Sequence, residues 1–268
     1  MSKHSKIKSL VKKTQKHTPL KRPYVLTVAG LDPSAGAGLG ADIKTIERIK
    51  CYGLAVCSGN TVQNDQVLTA VHWTDLGVMK AQIELLFSRF KIDFVKIGVI
   101  QNWLILQDLV ELLCSKNPKI KIILDPVLSA SSSFNFHQAD APKLMHTLSK
   151  IYLLTPNLIE FNQLTEGKSK QEQIKMITQH CNLLIKGGHA QDKIDIGKDL
   201  LYLKNGKQHT FNPKRLTPFS KHGSGCILSA AITSYLALGE PLMKACYKGK
   251  KYTENTLSSN KSLLAYHF

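Results

Sequence analysis

Tyr24-Val25-Leu26-Thr27-Val28-Ala29-Gly30-Leu31-Asp32-Pro33-Ser34-Ala35-Gly36-Ala37-Gly38-Leu39-Gly40-Ala41-Asp42 is the stretch from which the organisation of the chain is read. Tyr24–Ala29 is aromatic, β-branched or aliphatic at every position, which suits a buried strand, and the glycines after it mark a turn before a segment of helical period at 39–50. The same alternation continues. Strand patterns lie at Leu54–Gly59, Phe94–Gly98, Ile120–Asp125, Ile151–Thr155 and Leu183–Lys186, then at Leu200–Leu203 and Gln208–Phe211. Helical patterns lie at 75–90, 102–115, 141–149, 159–164, 169–180 and 226–238. Strands alternating with helices predict an α/β fold, with a central, mostly parallel sheet flanked by helices on both faces. Asn205-Gly206 supplies the positive φ angles of a tight hairpin between the last two strands.

The chain has 268 residues, 43% of them hydrophobic, enough for one large domain with its own core. Its formal charge of +17 first suggests a nucleic-acid binder, but eight basic residues precede Pro23, from Lys3 to Arg22, in a stretch with no acid and no aromatic. Residues 1–22 therefore read as a solvated, disordered basic extension, and residues 23–268 as the folded domain. Without aromatics to stack bases, that tail is not read as a specific nucleic-acid arm. The remaining positive charge suits small anions. No apolar run approaches the roughly 18 residues of a membrane span, and no secretory h-region follows the N-terminal charges, so the expected location is cytoplasmic. The six cysteines are scattered, with no C-x-x-C pair, which argues against a disulfide framework or a zinc site.

Polar and small residues gather where the strands end, the rim at which open parallel sheets bind ligands. His222-Gly223-Ser224-Gly225-Cys226 runs into an apolar helix, where glycines let backbone amides approach an anion at the positive end of the helix dipole. Asp125 and Glu160 offer the hard oxygens that Mg²⁺ takes together with substrate phosphates. Lys186 emerges from a buried strand onto Gly187-Gly188, placed to neutralise a transferring phosphate, whereas His189 is read as structural. Gly36-Ala37-Gly38 with Ala41 mimics a dinucleotide fingerprint, but the Asp32-Pro33-Ser34 turn intervenes and no acid closes a second strand. G-x-x-x-x-G-K-[ST] is absent, which excludes a P-loop. A helix-start anion site, two carboxylates and a lysine together point to phosphoryl transfer.

Several of these motifs match a known family. Ala29–Leu39, Ala41-Asp42-Ile43-Lys44-Thr45, Thr61-Val62-Gln63-Asn64, Lys96-Ile97-Gly98, Leu124-Asp125-Pro126-Val127, Thr155–Glu160, Lys186–His189 and Gly223–Cys226 occur in the family's order. Across residues 24 to 268 the chain resembles the hydroxymethylpyrimidine kinase / phosphomethylpyrimidine kinase family, of ribokinase-like fold. The resemblance implies ATP- and Mg²⁺-dependent phosphorylation of 4-amino-5-hydroxymethyl-2-methylpyrimidine, then of its monophosphate, in thiamine biosynthesis by a homodimer. It implies that Cys226, as a thiolate of lowered pKa, is the general base and that the amides of Gly223, Ser224 and Gly225 form an anion hole. Ala29, Asp32, Gln63, Val99 and Val127 would form the ring pocket, with Gln63 matching a ring nitrogen and the exocyclic amine. Asn157, Lys186, Gly223 and Gly225 would contact ATP, and Asp125 and Glu160 would lie at the magnesium ion. The chain departs from the family at Ala130-Ser131-Ser132-Ser133, which lacks a lysine, at Gly40 where glutamine is common, and in its lysine-rich end from Lys244 to Lys251. Pyridoxal kinase and a non-catalytic pyrimidine binder are the alternatives on the same scaffold. Deleting residues 1–22 is expected to leave turnover intact in steady-state assays; a large loss of kcat would overturn the passive reading of the tail.

Overall fold

A computed structural model describes residues 21–127, 141–164, 168–188, 196–214 and 221–268. Strands β1 (Tyr24–Leu31), β2 (Tyr52–Gln63), β3 (Leu68–Trp73), β4 (Ile92–Ile97), β5 (Lys121–Leu124), β6 (Leu153–Leu154), β7 (Asn182–Ile185), β8 (Asp199–Tyr202) and β9 (Gln208–Phe211) are those found among the described residues. They form one sheet in the order β3-β2-β1-β4-β5-β6-β7-β8-β9. Neighbours from β2 to β7 are parallel, and the pairs β2–β3, β7–β8 and β8–β9 at the two edges are antiparallel.

The helices are α1 (Gly38–Arg48), α2 (Leu76–Arg89), α3 (Trp103–Lys116), α4 (Ala141–Leu148), α5 (Leu158–Leu164), α6 (Lys170–Thr178), α7 (Ser224–Ala237) and α8 (Leu242–Leu257). Successive strand residues point to opposite faces, so β1 feeds two cores. Leu26 and Val28 join Ile83 of α2 and Leu109 of α3 in one cluster, whereas Val25 joins Ile46 of α1 and Ala230 of α7 in another. Ile123 and Leu184 pack with Leu228 and Ile232 of α7 and Cys246 of α8. Both faces are thereby covered, and the loops at the carboxyl ends of the parallel strands are left to form a cleft.

Two elements depart from the sequence reading. The expected strand at Leu54–Gly59 runs on to Gln63 and turns back as β3, an edge strand the pattern did not announce. Its turn is closed by Asn64, whose side chain accepts from the amides of Gln66 and Val67, with no glycine to signal it. α8 was also not expected, because its buried face is Ala245, Cys246, Gly249, Lys250, Thr253 and Thr256, small or polar rather than aliphatic. A Cβ on Gly249 would lie 2.7 Å from Ile232 Cγ1, so the two helices approach through that gap. Gly40 likewise sits where a Cβ would meet that of Ala35 at 2.5 Å, which no glutamine could do without moving the loop. His189 and Ala130–Ser133 lie outside the described residues.

Candidate functional site

α7 opens the site. Its N-cap, Gly223, has φ +77 and no side chain among the described residues caps the helix, so the amides of its first turn are open to another partner. A Cβ on Gly223 would stand 2.0 Å from Gly36 O, which seats the helix start directly on the β1–α1 loop. Two residues further on, within the first turn, a Cβ on Gly225 would come 3.1 Å from Lys186 Nζ. The lysine ammonium and the positive end of α7 therefore converge on one place, a charge arrangement that fits an anion.

Lys186 follows β7 and is held from below by Asp125, which follows β5, at 2.6 Å; Glu160 of α5 lies 3.8 Å away. Asp125 also accepts from Ser229 Oγ of α7 at 3.1 Å. Asn157 and Glu160 form a reciprocal cap: Asn157 N donates to Glu160 Oε2 at 2.7 Å, and Glu160 N to Asn157 Oδ1 at 2.9 Å. Burial would raise the Asp125 pKa, but Lys186 and Lys96 outweigh it and keep the carboxylate ionised. Burial would lower that of Lys186, yet Asp125 and Glu160 hold its ammonium at about 12. Glu160 goes the other way, pushed up to about 7 by burial foremost and by the Asp125 charge, with Lys186 opposing.

Ala29, Asp32, Gln63, Val99 and Val127 line the same cleft as Asp125, Asn157, Glu160, Lys186, Gly223, Ser224, Gly225 and Cys226, in a volume of about 610 Å³. The structure thus brings together every residue that the sequence singled out for a site. One expectation about them is corrected. Cys226, in the first turn of α7, is not a thiolate of lowered pKa: burial pushes its thiol up to about 11, with the Lys96 charge and the Gly38 amide only partly opposing. Desolvation outweighs the helix start and the neighbouring cation in this enclosed position.

Sequence reasoning quoted Lys96, His222 and Lys250 without giving them a role in the site, and did not single out Lys221; all four line the cleft. Lys96, wholly buried, pairs at 2.7 Å with Asp42 Oδ2, which also accepts from Thr27 Oγ1 at 2.6 Å. A lysine inside an otherwise apolar strand was the available signal, since a buried ammonium requires a partner. Lys250 reaches Asp199 at 3.0 Å through the small face of α8. Lys221 is caught by the carbonyls of Asn260 and Ser262 and by Asn260 Oδ1. No helix among the described residues is long and apolar enough to cross a membrane, and no group of three or more His, Cys, Asp or Glu side chains there is placed to hold a metal ion.

Comparison with known proteins places the chain in a family of this fold. The profile of the phosphomethylpyrimidine kinase family matches residues 32–268. The chain is 31% identical over 248 residues to a thiamine biosynthesis bifunctional protein of Geobacter sulfurreducens, covering 88% of this chain but 49% of that longer protein. It is 32% identical over 243 residues to a hydroxymethylpyrimidine/phosphomethylpyrimidine kinase of Staphylococcus aureus, covering 87% of each. Among solved structures, pyridoxal kinase of Staphylococcus aureus in complex with ADP superimposes with a TM-score of 0.78 at 26% identity, covering 89% of each chain.

The pH dependence of stability tests the carboxylate pair. The folded pKa of Glu160, about 7, exceeds its ordinary value of 4.5. Its protonated form therefore contributes stability that is complete below 4.5 and is lost as pH rises through 7. In denaturant titrations without divalent cations, the wild type is expected to lose stability over that interval and Glu160→Gln to lose less; parallel curves would contradict the buried, raised carboxyl.

Proposed function

The chain belongs to the phosphomethylpyrimidine kinase family, and from that premise we propose that it transfers the γ-phosphoryl group of ATP to the hydroxymethyl oxygen of 4-amino-5-hydroxymethyl-2-methylpyrimidine, and then phosphorylates the monophosphate. The observation that supports this best is the Lys186 ammonium set against Gly225 at the uncapped start of α7, with Cys226 one residue further on. Positioning and charge neutralisation are most of what phosphoryl transfer requires of a protein.

In this reading the amides of Gly223, Ser224 and Gly225 and the Lys186 ammonium hold the transferring phosphate, with Asn157 beside them. The substrate ring lies among Ala29, Gln63, Val99 and Val127, its amine and ring nitrogen facing the Gln63 amide. The alcohol oxygen forms its bond to the γ-phosphorus as the bond from that phosphorus to the ADP oxygen breaks. Its proton passes to the Cys226 sulfur, present as thiolate for that step, and the thiol then releases it to solvent.

Asp125 and Glu160 fit a magnesium ion chemically. Both are buried hard-oxygen donors in the cleft, and the Glu160 carboxyl, raised by burial foremost and by the Asp125 charge, is one that a cation would help to ionise. Bound there, Mg²⁺ would neutralise charge on the phosphates. The homodimer implied by the resemblance belongs to the same proposal. Pyridoxal is the second reading, favoured by the likeness to pyridoxal kinase.

Mass analysis of products formed with ATP and Mg²⁺ from the hydroxymethylpyrimidine, its monophosphate and pyridoxal decides between them. Pyrimidine mono- and diphosphates are expected. Pyridoxal phosphate as sole product would move the assignment to the second reading, and no product from any of the three would overturn both. Because the Cys226 thiol sits at about 11, kcat/KM should climb by about tenfold per pH unit below that value if the thiolate is the base. A profile flat from neutral to alkaline pH would remove Cys226 from that role.

A further inference from the structure

Asp32 lines the cleft, yet its carboxylate is already occupied by its own chain. Oδ1 accepts from Ser34 N and Ser34 Oγ, each at 2.8 Å. Oδ2 accepts from Ala37 N at 2.9 Å, Gly36 N at 3.2 Å, Ser34 Oγ at 2.9 Å and His222 Nε2 at 2.9 Å. The Gln63 side chain, close by, also favours the ionised form. A carboxylate offers about four lone-pair sites, so little capacity is left for a donor on a substrate. Burial would raise its pKa, but these donors outweigh burial and hold Asp32 ionised, so the proton in the His222 contact sits on Nε2.

Asp32 thereby joins two separate parts of the cleft and neighbours a third. Ser34, Gly36 and Ala37 belong to the β1–α1 loop, Gln63 ends β2, and His222 immediately precedes Gly223 at the start of α7. The close approach of Gly36 O to Gly223 fixes only how near the loop and helix come. The His222–Asp32 bond is directional and fixes how they are turned. His222 is itself tethered from the other side, its amide donating to Leu263 O at 3.1 Å.

We propose that His222 is a positioning residue, whose bond to Asp32 sets the register between the Gln63 end of the ring site and the α7 amides, so that an alcohol held at one is aimed at a phosphate held at the other. The inference rests on the kinase reading above, and it gives Asp32 the role of organiser instead of substrate ligand. Its consequence is kinetic: an error of about 1 Å between reacting atoms can cost on the order of 100-fold in rate.

His222→Phe keeps ring volume without the donor, and His222→Gln keeps an N–H donor of similar reach. His222→Phe is expected to lower kcat with the hydroxymethylpyrimidine by about 10- to 100-fold while KM for ATP stays within about threefold, and His222→Gln to recover most of kcat. Wild-type kcat in His222→Phe, or an equal loss in both variants, would overturn the proposal; should His222→Phe fail to fold, His222→Ala takes its place in the comparison. Amide exchange at Gly36 and Ala37 reads the same latch without turnover. Exchange faster by about tenfold in His222→Phe but not in His222→Gln supports the latch even if the wild type forms no product, a result that would refute the kinase reading alone. Equal exchange in all three proteins overturns the latch.

Discussion

The contact between Asp125 and Lys186, pressed against Gly225, is the constraint on which the site depends. It ties the residues that follow β5 and β7 to the first turn of α7. An ammonium this buried, 11% exposed, is tolerable only because a carboxylate 2% exposed lies at 2.6 Å. Removing Asp125 would leave Lys186 only the more distant Glu160, at 3.8 Å, so the pair stabilises the strand ends while holding a positive centre at the cleft. Ser229 binds Asp125 from within α7, which fixes the helix over the pair.

Around that contact the site is built by close backbone approach. Gly223 rests on Gly36, and Gly38 comes so near Gly30 that a Cβ would lie 2.1 Å from its carbonyl. The β1–α1 loop and the start of α7 therefore form one wall. Beneath them the Lys96–Asp42 pair adds a second buried cation, linking β4 to α1, with Asp42 Oδ1 finding no hydrogen-bond partner among the described residues. Burial raises the Asp42 pKa more than Lys96 and Thr27 lower it. The same enclosure keeps the Cys226 thiol protonated at neutral pH.

The strands of the parallel core and the residues of the cleft were legible in the sequence because both follow local rules. Buried parallel strands are continuous apolar runs, and glycines, carboxylates and a lysine at their ends are visible without coordinates. β3 and α8 were not legible. β3 is a half-exposed edge strand paired only to the outer part of β2, and α8 buries small and polar side chains whose burial depends on the gap at Gly249.

By itself the sequence determined the α/β class, the glycine-rich start of α7 and the set of chemical groups available, since each depends on residue type and spacing along the chain. Tertiary structure alone decided how those groups act on one another. His222 meets Asp32 across 190 residues, and Lys186 meets Asp125 across 61. The depth of burial that raises Cys226 and Glu160 comes from every element packed around them. Desolvation and long-range pairing are properties of the assembled surroundings, which no local stretch of sequence contains.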